Sequence, residues 1–440
     1  MVDFLLKWNQ PKTGIGFKDS KAQVISLSEM VKSLTNQHLE LWWSCERSIP
    51  DFPITYTDQQ QAANDKLLEK MVSGLLVELK QIPAAAAERE RWQDRLRATA
   101  LDFAKQTLNL EQRHLDFIES SGLINASQEF ARMARRFDPQ ISGEDIFQAT
   151  RNVMTANFMQ LLLDLPVEVT PAVFAYSMLY PYTDNYLDDP AVPPATKLGF
   201  NHRFRARLQG ETVRPANQHE AKINELVGMI EEQYDRASYP LVYESLLAIH
   251  AAQGTSLKLV APGASPHELN VLGISFEKGG TSVLADGYLV AGWLSPAQAQ
   301  LMFGYGAFTQ LMDDLEDAVQ DLREGRMSIF SQTAYHWPLD GITNQTFHFG
   351  RAIFSDLSGF QSPAVEPVKE LITRMIDPIL IDTIGQIGRF YSKKYLREIE
   401  RHMPFHFRAL KKQRDRLDRQ KVTMDRLIDM FFLDQPPVQK

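Results

Sequence analysis

Acidic residues are concentrated in one short segment of the chain, GAFTQLMDDLEDAVQDLREGR, at residues 306 to 326. Four aspartates and one glutamate fall within nine residues: Asp313, Asp314, Glu316, Asp317 and Asp321. Arg323 is the first basic residue after them, so no nearby cation compensates the first acids of the segment. Like charges three or four positions apart on a helix repel each other. Binding of a cation would offset that cost.

Two interpretations of this segment stay open. An acidic helix face is most often a solvated surface, and an apolar stripe opposite the acids is compatible with that interpretation. However, Asp313, Asp317 and Asp321 stand at successive steps of four, so their carboxylates can point at one place. Converging oxygen ligands suit Mg²⁺, which keeps several waters and is shared with substrate phosphates.

A second acidic cluster lies upstream, in AVFAYSMLYPYTDNYLDDPAVPPATKLG, where Pro190 should end a helix. Residues spaced by four form what we call the upstream strip: Tyr176, Tyr180, Asp184 and Asp188. The same spacing gives the downstream strip: Tyr305, Thr309, Asp313, Asp317 and Asp321. If the strips face each other in a helical bundle, they line an apolar cavity with an anionic rim. Either cluster alone would be explained by a helix end or by core packing, and it is their coincidence that favours a site.

The composition of the chain limits the class of protein. With 440 residues, of which 44% are hydrophobic, the chain can bury a substantial core. A net charge of -8 and a pI near 5.8 argue against a nucleic-acid-binding protein. Cys45 is the single cysteine, which excludes an internal disulfide framework and a multi-thiolate zinc site and fits a cytoplasmic location.

Helical periodicity dominates the sequence. Segments such as NDKLLEKMVSGLLVELKQI and GEDIFQATRNVMTANFMQLLL have helical spacing, and alternating β-branched runs are scarce. We therefore predict an all-α fold. The longest apolar run, PAVFAYSMLYPY, is shorter than the roughly 20 residues that a membrane span needs. Because MVDFLLKWNQPKTG also lacks the pattern of a signal peptide, we expect a protein without stable membrane insertion.

The downstream segment resembles the prenyl diphosphate synthases of the class I isoprenoid (terpenoid) synthase superfamily. In that family, a lysine with a small-residue turn precedes a Gln-x-x-Asp-Asp-x-x-Asp motif by about one helical hairpin. The corresponding positions here are Lys278, Gln310, Asp313, Asp314 and Asp317. The tail DLREGRMSIF is similar to the Gly-Arg segment of squalene and phytoene synthases, with Arg326 in that place. The resemblance covers roughly residues 141 to 430 and implies an all-α bundle around a central apolar cavity.

The acidic motif of the upstream cluster, DNYLDD, departs from the pattern of chain-elongating synthases. It is Asp-x-x-x-Asp-Asp rather than Asp-Asp-x-x-Asp with paired arginines, and no early Gly-Lys-Arg element is present for a second diphosphate. The motif is closer to head-to-head synthases and to bacterial large-terpene synthases, which the segment AIHAAQGTSLKL loosely resembles. We therefore expect a terpene synthase that ionises and cyclises one linear prenyl diphosphate, with a prenyltransferase as the alternative.

The resemblance also implies a metal site. In the superfamily, carboxylates of two facing helices hold Mg²⁺, usually three ions, against the substrate diphosphate. The metal ligands implied here are Asp184, Asp188, Asp189, Asp313, Asp314, Asp317 and Asp321. Among these, the expected catalytic residues are Asp184, Asp188, Asp313 and Asp317.

Further residues are expected to bind the diphosphate or to form the cavity wall. The expected diphosphate-binding residues are Lys278, Arg326, Lys393, Lys394 and Tyr395. For any single late cation, a solvated basic face is the simpler explanation. The expected wall residues are Val173, Tyr176, Tyr180, Tyr305 and Gln310. Aromatic faces in such a wall can stabilise a carbocation through their quadrupoles.

Residues 1 to 140 lie outside the resemblance and are expected to form an N-terminal helical extension packed on a synthase domain of residues 141 to 440. Dimers are common in the superfamily, so a homodimer is an option that the resemblance leaves open. A non-catalytic helical scaffold or lipid-binding protein is the alternative from another class, although the intact acidic motifs argue against it. A di-iron bundle needs two Glu-x-x-His motifs, and only EQRH, from Glu111 to His114, is present.

Overall fold

The chain is described by a computed structural model over residues 26–83, 85–189, 191–260, 265–423 and 426–428, which contain no β-strand. The all-α prediction is confirmed. In chain order the α-helices are α1 Leu27–Ser44, α2 Asp58–Glu78, α3 Ala86–Thr107, α4 Gln112–Ser120, α5 Leu123–Phe137, α6 Gly143–Leu162, α7 Pro171–Asp188, α8 Pro194–Leu208, α9 Gln218–Gln233, α10 Pro240–Ser256, α11 Val271–Ala291, α12 Pro296–Glu316, α13 Ala318–Glu324, α14 Ile329–Ala334, α15 Asp340–Ile353, α16 Val365–Gln386, α17 Lys393–Ile399 and α18 Phe407–Arg419. Short 3₁₀ segments are Leu257–Val260, Gly388–Phe390 and Glu400–His402.

Local sequence determines where the helices that surround the candidate site begin and end. The hydroxyl of Ser142 caps α6 by accepting a hydrogen bond from the Asp145 N–H at 3.0 Å. Helices α7 and α12 each start with a proline, preceded by the capping residues Thr170 and Ser295. Helix α11 ends at Ala291 and is capped by Gly292, whose φ of 73° lies in the left-handed region that favours glycine.

Helix α11 is the central element of the bundle. It packs most extensively on α12, which follows after a short connection, and also on α10, α1, α6 and α7. Its buried face includes Phe276, Leu284 and Tyr288, none of which is more than 1% exposed. Side chains on α11 are therefore placed by contacts with helices on several sides.

The contact between α11 and α12 is made by backbone atoms at one point. A Cβ added to Gly279 would overlap the carbonyl oxygen of Gly306, and a Cβ added to Gly306 would overlap the carbonyl oxygen of Gly279. Glycine is the residue that allows two backbones to approach this closely. The crossing lies beside Lys278 and Gln310, so it fixes the relative position of two residues that the sequence singled out.

The first described helix is part of the main core. Trp42 on α1 is 1% exposed and packs edge-on against Phe276 of α11 and Phe349 of α15. Helix α2 in turn packs on α18 near the other end of the chain. The boundary at residue 140 stays a prediction, but α1 does not lie outside the core. The expectation about the signal peptide concerns residues 1–25, which lie outside the described residues.

None of the helices in the described part of the chain has the length and apolar character that a membrane-crossing segment would require.

Candidate functional site

A cavity of about 410 Å³ opens between α6, α7, α8, α10, α11 and α12, with Ile379 of α16 at its wall. Much of this wall is apolar or aromatic, and includes Phe158, Leu179, Phe204 and Leu246. A concave, mostly apolar cavity with a few polar side chains is the usual form of a small-molecule site. The cavity is therefore the candidate functional site of this chain.

Both strips contribute side chains to this cavity. The upstream strip supplies Tyr176, Tyr180 and Asp184, and the downstream strip supplies Tyr305, Thr309 and Asp313. Lys278 and Gln310 also line it. The structure thus brings two aromatic and acidic helix faces, separated by more than a hundred residues in sequence, to one cavity.

On the downstream strip, Asp313 is paired with a cation. Arg151 of α6 donates to Oδ1 of Asp313 at 2.9 Å, and both side chains remain partly accessible, with 59% of Arg151 and 41% of Asp313 exposed. Accessible, oppositely charged groups can exchange this contact for one with an anionic or cationic ligand. This pair therefore forms part of the rim of the cavity.

On the upstream strip, Asp184 has a neutral partner. Its Oδ2 accepts a hydrogen bond from the Gln253 side chain of α10 at 2.5 Å. The next residue, Asn185, donates to Asp145 on α6 at 2.7 Å and so joins the two helices at the rim. Helix α7 continues through Pro181 and ends at Asp188, just before Pro190 as expected from the sequence.

The remaining acids of the downstream strip do not line the cavity. Helix α12 ends at Glu316, and Asp317 is the exposed residue between α12 and α13. Asp321 on α13 is only 4% exposed, and its Oδ1 lies 3.5 Å from Nε of Arg326. Of these three carboxylates only Asp313 lines the cavity, and the expectation that all three point at one place stays a prediction.

Burial changes the titration of two acids near the rim. It raises the pKa of Asp314 to about 6 and that of Asp321 to about 7, where the nearby Asp314 carboxylate adds to the effect. Oδ1 of Asp314 accepts a hydrogen bond from the Gln310 side chain at 2.8 Å, whereas its Oδ2 is buried without a partner. Near neutral pH, both groups are thus partly protonated, unlike an exposed carboxylate.

The donor set fits a metal ion that is shared with a ligand. The described residues include no group of three Asp, Glu, His or Cys side chains arranged to hold a metal by themselves. Mg²⁺ is usually held by one or two carboxylates together with waters and substrate phosphates. Asp184 and Asp313, on two helices at one cavity, match that arrangement. The Asp188 side chain lies outside the described residues, and Asp189 is exposed in the turn that follows α7.

Several residues expected at the site are elsewhere. Val173 is 1% exposed and does not line the cavity. Lys393 and Lys394 are exposed on α17, away from the cavity wall. Tyr395 is buried, and its hydroxyl donates to the Asn344 side chain at 2.7 Å. Since that hydrogen bond joins α17 to α15, Tyr395 has a packing role in this structure.

The tyrosines of the cavity are uncharged. Burial raises the pKa of Tyr176 well above its ordinary value and also raises the pKa of Tyr180 and of Tyr305. The Tyr176 hydroxyl donates to the backbone carbonyl of Ser282 at 3.0 Å. With this hydroxyl engaged, Tyr176 offers the cavity mainly its aromatic ring.

Some polar residues of α6 and α10 at the cavity were not predicted from the sequence. Arg151, Asn152, His250 and Gln253 all line the cavity. Burial lowers the pKa of His250, so its imidazole is neutral at ordinary pH. Helical spacing indicated that α6 and α10 exist, but it could not indicate which of their faces meets the two strips.

Comparisons with known proteins add no relative to this description: no family model, no curated protein and no solved structure matches the chain.

Proposed function

We propose that this chain is a Mg²⁺-dependent class I terpene synthase that ionises and cyclises one linear prenyl diphosphate and releases diphosphate. The observation that supports this proposal best is the meeting of Asp184 and Asp313, from two helices, at one largely apolar cavity. Such a cavity suits a ligand with an anionic head and a hydrocarbon tail. Its volume of about 410 Å³ is better suited to one such ligand than to two.

The head of the substrate would be bound at the rim. Asp184 and Asp313 would hold Mg²⁺ jointly with the diphosphate, and bound Mg²⁺ neutralises the negative charge of such a leaving group. Arg151 and Lys278 line the same cavity and can donate charge-assisted hydrogen bonds to diphosphate oxygens. Arg326, which lies beside Asp321, is a further cation of this region.

The tail of the substrate would be enclosed by the deeper wall. Tyr176 and Tyr305 can face a carbocation there with their rings, and Tyr180, which is 39% exposed, can do so nearer the rim, each contact being worth roughly 0.5 to 2 kcal/mol. Since burial keeps these hydroxyls protonated, no phenolate is available to trap the cation. Apolar residues around them keep water from the reacting carbons.

The proposal is tested by pyrophosphate release from C10, C15, C20 and C25 prenyl diphosphates, each supplied alone, with and without Mg²⁺. We expect release from one of them alone, dependent on Mg²⁺, and a cyclic product by mass spectrometry. Asp184→Asn and Asp313→Asn should each abolish most of this release. Asp102→Asn, an exposed residue of α3 that does not line the cavity, is the matched control and should retain it.

Two outcomes would contradict the proposal. Release that requires added isopentenyl diphosphate would identify a prenyltransferase instead. No release from any substrate by a folded protein would favour the non-catalytic helical protein, whose acidic faces are then solvated surface.

A further inference from the structure

The side chain of Asn152 is held in one orientation by two other helices. Its amide nitrogen donates to the Ser177 hydroxyl of α7 at 3.0 Å and to Oδ1 of Asp286 on α11 at 2.9 Å. An amide nitrogen has two hydrogens, and both are used by these bonds. The amide oxygen is left as the polar atom that Asn152, a residue of the cavity wall, can offer to a ligand.

Asp286 is an unusual partner because it is enclosed by the bundle. It is 2% exposed, and its Oδ2 is buried without a hydrogen-bond partner. Burial raises its pKa well above the ordinary value, which favours the neutral form of the acid. A buried acid with an unpartnered oxygen is rare in native proteins. The other oxygen of this acid, Oδ1, accepts the hydrogen bond from Asn152 and so stabilises one orientation of its amide.

The two acceptors of the Asn152 amide, Ser177 and Asp286, lie away from the acidic rim. On α11, Asp286 follows Lys278 by eight residues, which corresponds to about 12 Å along a helix. On α7, Ser177 precedes Asp184 by seven residues, or about 10 Å. The wall residues of the cavity close to this pair on these helices include Tyr176, Ser282 and Val283. The amide oxygen of Asn152 is thus offered to the tail of a ligand rather than to its head.

We infer that Asn152 forms a subsite for positive charge on the hydrocarbon part of the substrate, and that Asp286 is the positioning residue that keeps the amide oxygen turned toward it. This inference rests on the proposed function, because loss of diphosphate is what creates the charge. An oriented dipole in an apolar cavity stabilises such a charge more than it would in water, and it does not have to reorganise.

Binding of a carbocation mimic tests the subsite without turnover. The probe is a C15 tertiary amine, protonated at neutral pH, and its reference is the uncharged hydrocarbon of the same shape. Both compete with a fluorescent apolar dye, with and without Mg²⁺ and inorganic pyrophosphate. Asn152→Leu should weaken amine binding about 10- to 100-fold, the range for a hydrogen bond to a charged group. Hydrocarbon binding should stay unchanged and so report an intact cavity.

Two variants of Asp286 separate positioning from packing. Asp286→Asn keeps a neutral acceptor for the Asn152 amide and should keep the amine preference. Asp286→Leu removes the acceptor and should lose the preference while hydrocarbon binding persists. Equal amine preference in the wild type and Asn152→Leu would overturn the inference. Loss of the preference for the amine over the hydrocarbon in Asp286→Asn would overturn the positioning role. A neutral acceptor would then not be enough, and the proton of the acid would be required.

The failure of this inference can be told from the failure of the proposed function. If the wild type releases no pyrophosphate from any prenyl diphosphate, the proposed function fails, whatever the amine data show. If it does release pyrophosphate, Asn152→Leu should alter the ratio of its products at unchanged KM. An unchanged product ratio together with unchanged amine binding would remove the subsite and leave the synthase.

Discussion

The two strips carry the same spacing of aromatic and acidic residues but differ in what surrounds them. In the upstream strip, Asp184 is bound by the neutral amide of Gln253. In the downstream strip, Asp313 is paired with Arg151, and Asp321, two turns further on, is buried beside Arg326. Spacing thus predicts which residues share a helix face, whereas the charge and burial of each residue depend on the neighbouring helices.

This difference suggests a division of labour at the rim. In the upstream strip, the Gln253 amide that donates to the carboxylate of Asp184 carries no charge. The downstream strip together with Arg151 of α6 presents both signs of charge, so this part of the rim can contact a metal ion and an anionic head at once. Four experiments test the contrast, from the largest expected effect to the smallest.

Removing both rim carboxylates tests whether the strips act as one unit. Asp184→Asn and Asp313→Asn should each lower kcat/KM for diphosphate release by roughly 100-fold or more. The double variant should lose little beyond the worse single variant, because groups that act on one transition state are not additive. Steady-state kinetics measures this. A double loss equal to the product of the single losses would mean that the strips act independently.

Removing the partner of each carboxylate tests the charge difference between the strips. Arg151→Met should weaken substrate binding by about 10- to 100-fold, because a charged donor is lost. Gln253→Met should cost about tenfold or less, because its hydrogen-bond donor is neutral. KM measured at two salt concentrations would show whether the Arg151 effect is screened. Equal effects of the two substitutions would contradict the proposed difference.

The buried acid of the downstream strip predicts a pH dependence of stability. Burial raises the pKa of Asp321 to about 7, above that of an unfolded aspartate, so the folded chain binds a proton that the unfolded chain has lost. This group therefore makes the free energy of unfolding fall as pH rises between about 4 and 7. Asp321→Asn should reduce the associated fall in Tm, which we expect to be a few degrees. Tm is measured against pH in metal-free buffer. If the curves of the wild type and of Asp321→Asn are parallel, Asp321 does not contribute to the pH dependence of stability.

The late basic cluster should have the smallest effect. Lys393→Met and Lys394→Met should leave diphosphate release within about twofold of the wild type, because both side chains are exposed outside the cavity wall. Lys278→Met, which removes a cation that lines the cavity, is the comparison and should reduce release clearly. A large loss in Lys394→Met would return this helix to the site, as the resemblance implied.

The sequence predicted what is local to a helix. Capping residues, prolines and steps of four were enough to identify the all-α class, the end of α7 and the two faces that meet at the cavity. It could not predict that Arg151 would reach Asp313, since the two are 162 positions apart and the contact depends on how α6 and α12 pack. The burial of Asp321 and the exposure of Lys394 are tertiary effects of the same kind.

The crossing of α11 and α12 at Gly279 and Gly306 has a consequence for redesign of the cavity. Because backbone meets backbone there, the crossing itself has no side chain that could be shortened, and any larger residue would push the helices apart. Evolution or engineering toward longer or shorter ligands would then have to act through side chains elsewhere in the wall, such as Tyr176 and Phe158. The separation of the two helices is constant at the glycine pair, and ligand length is set by those side chains.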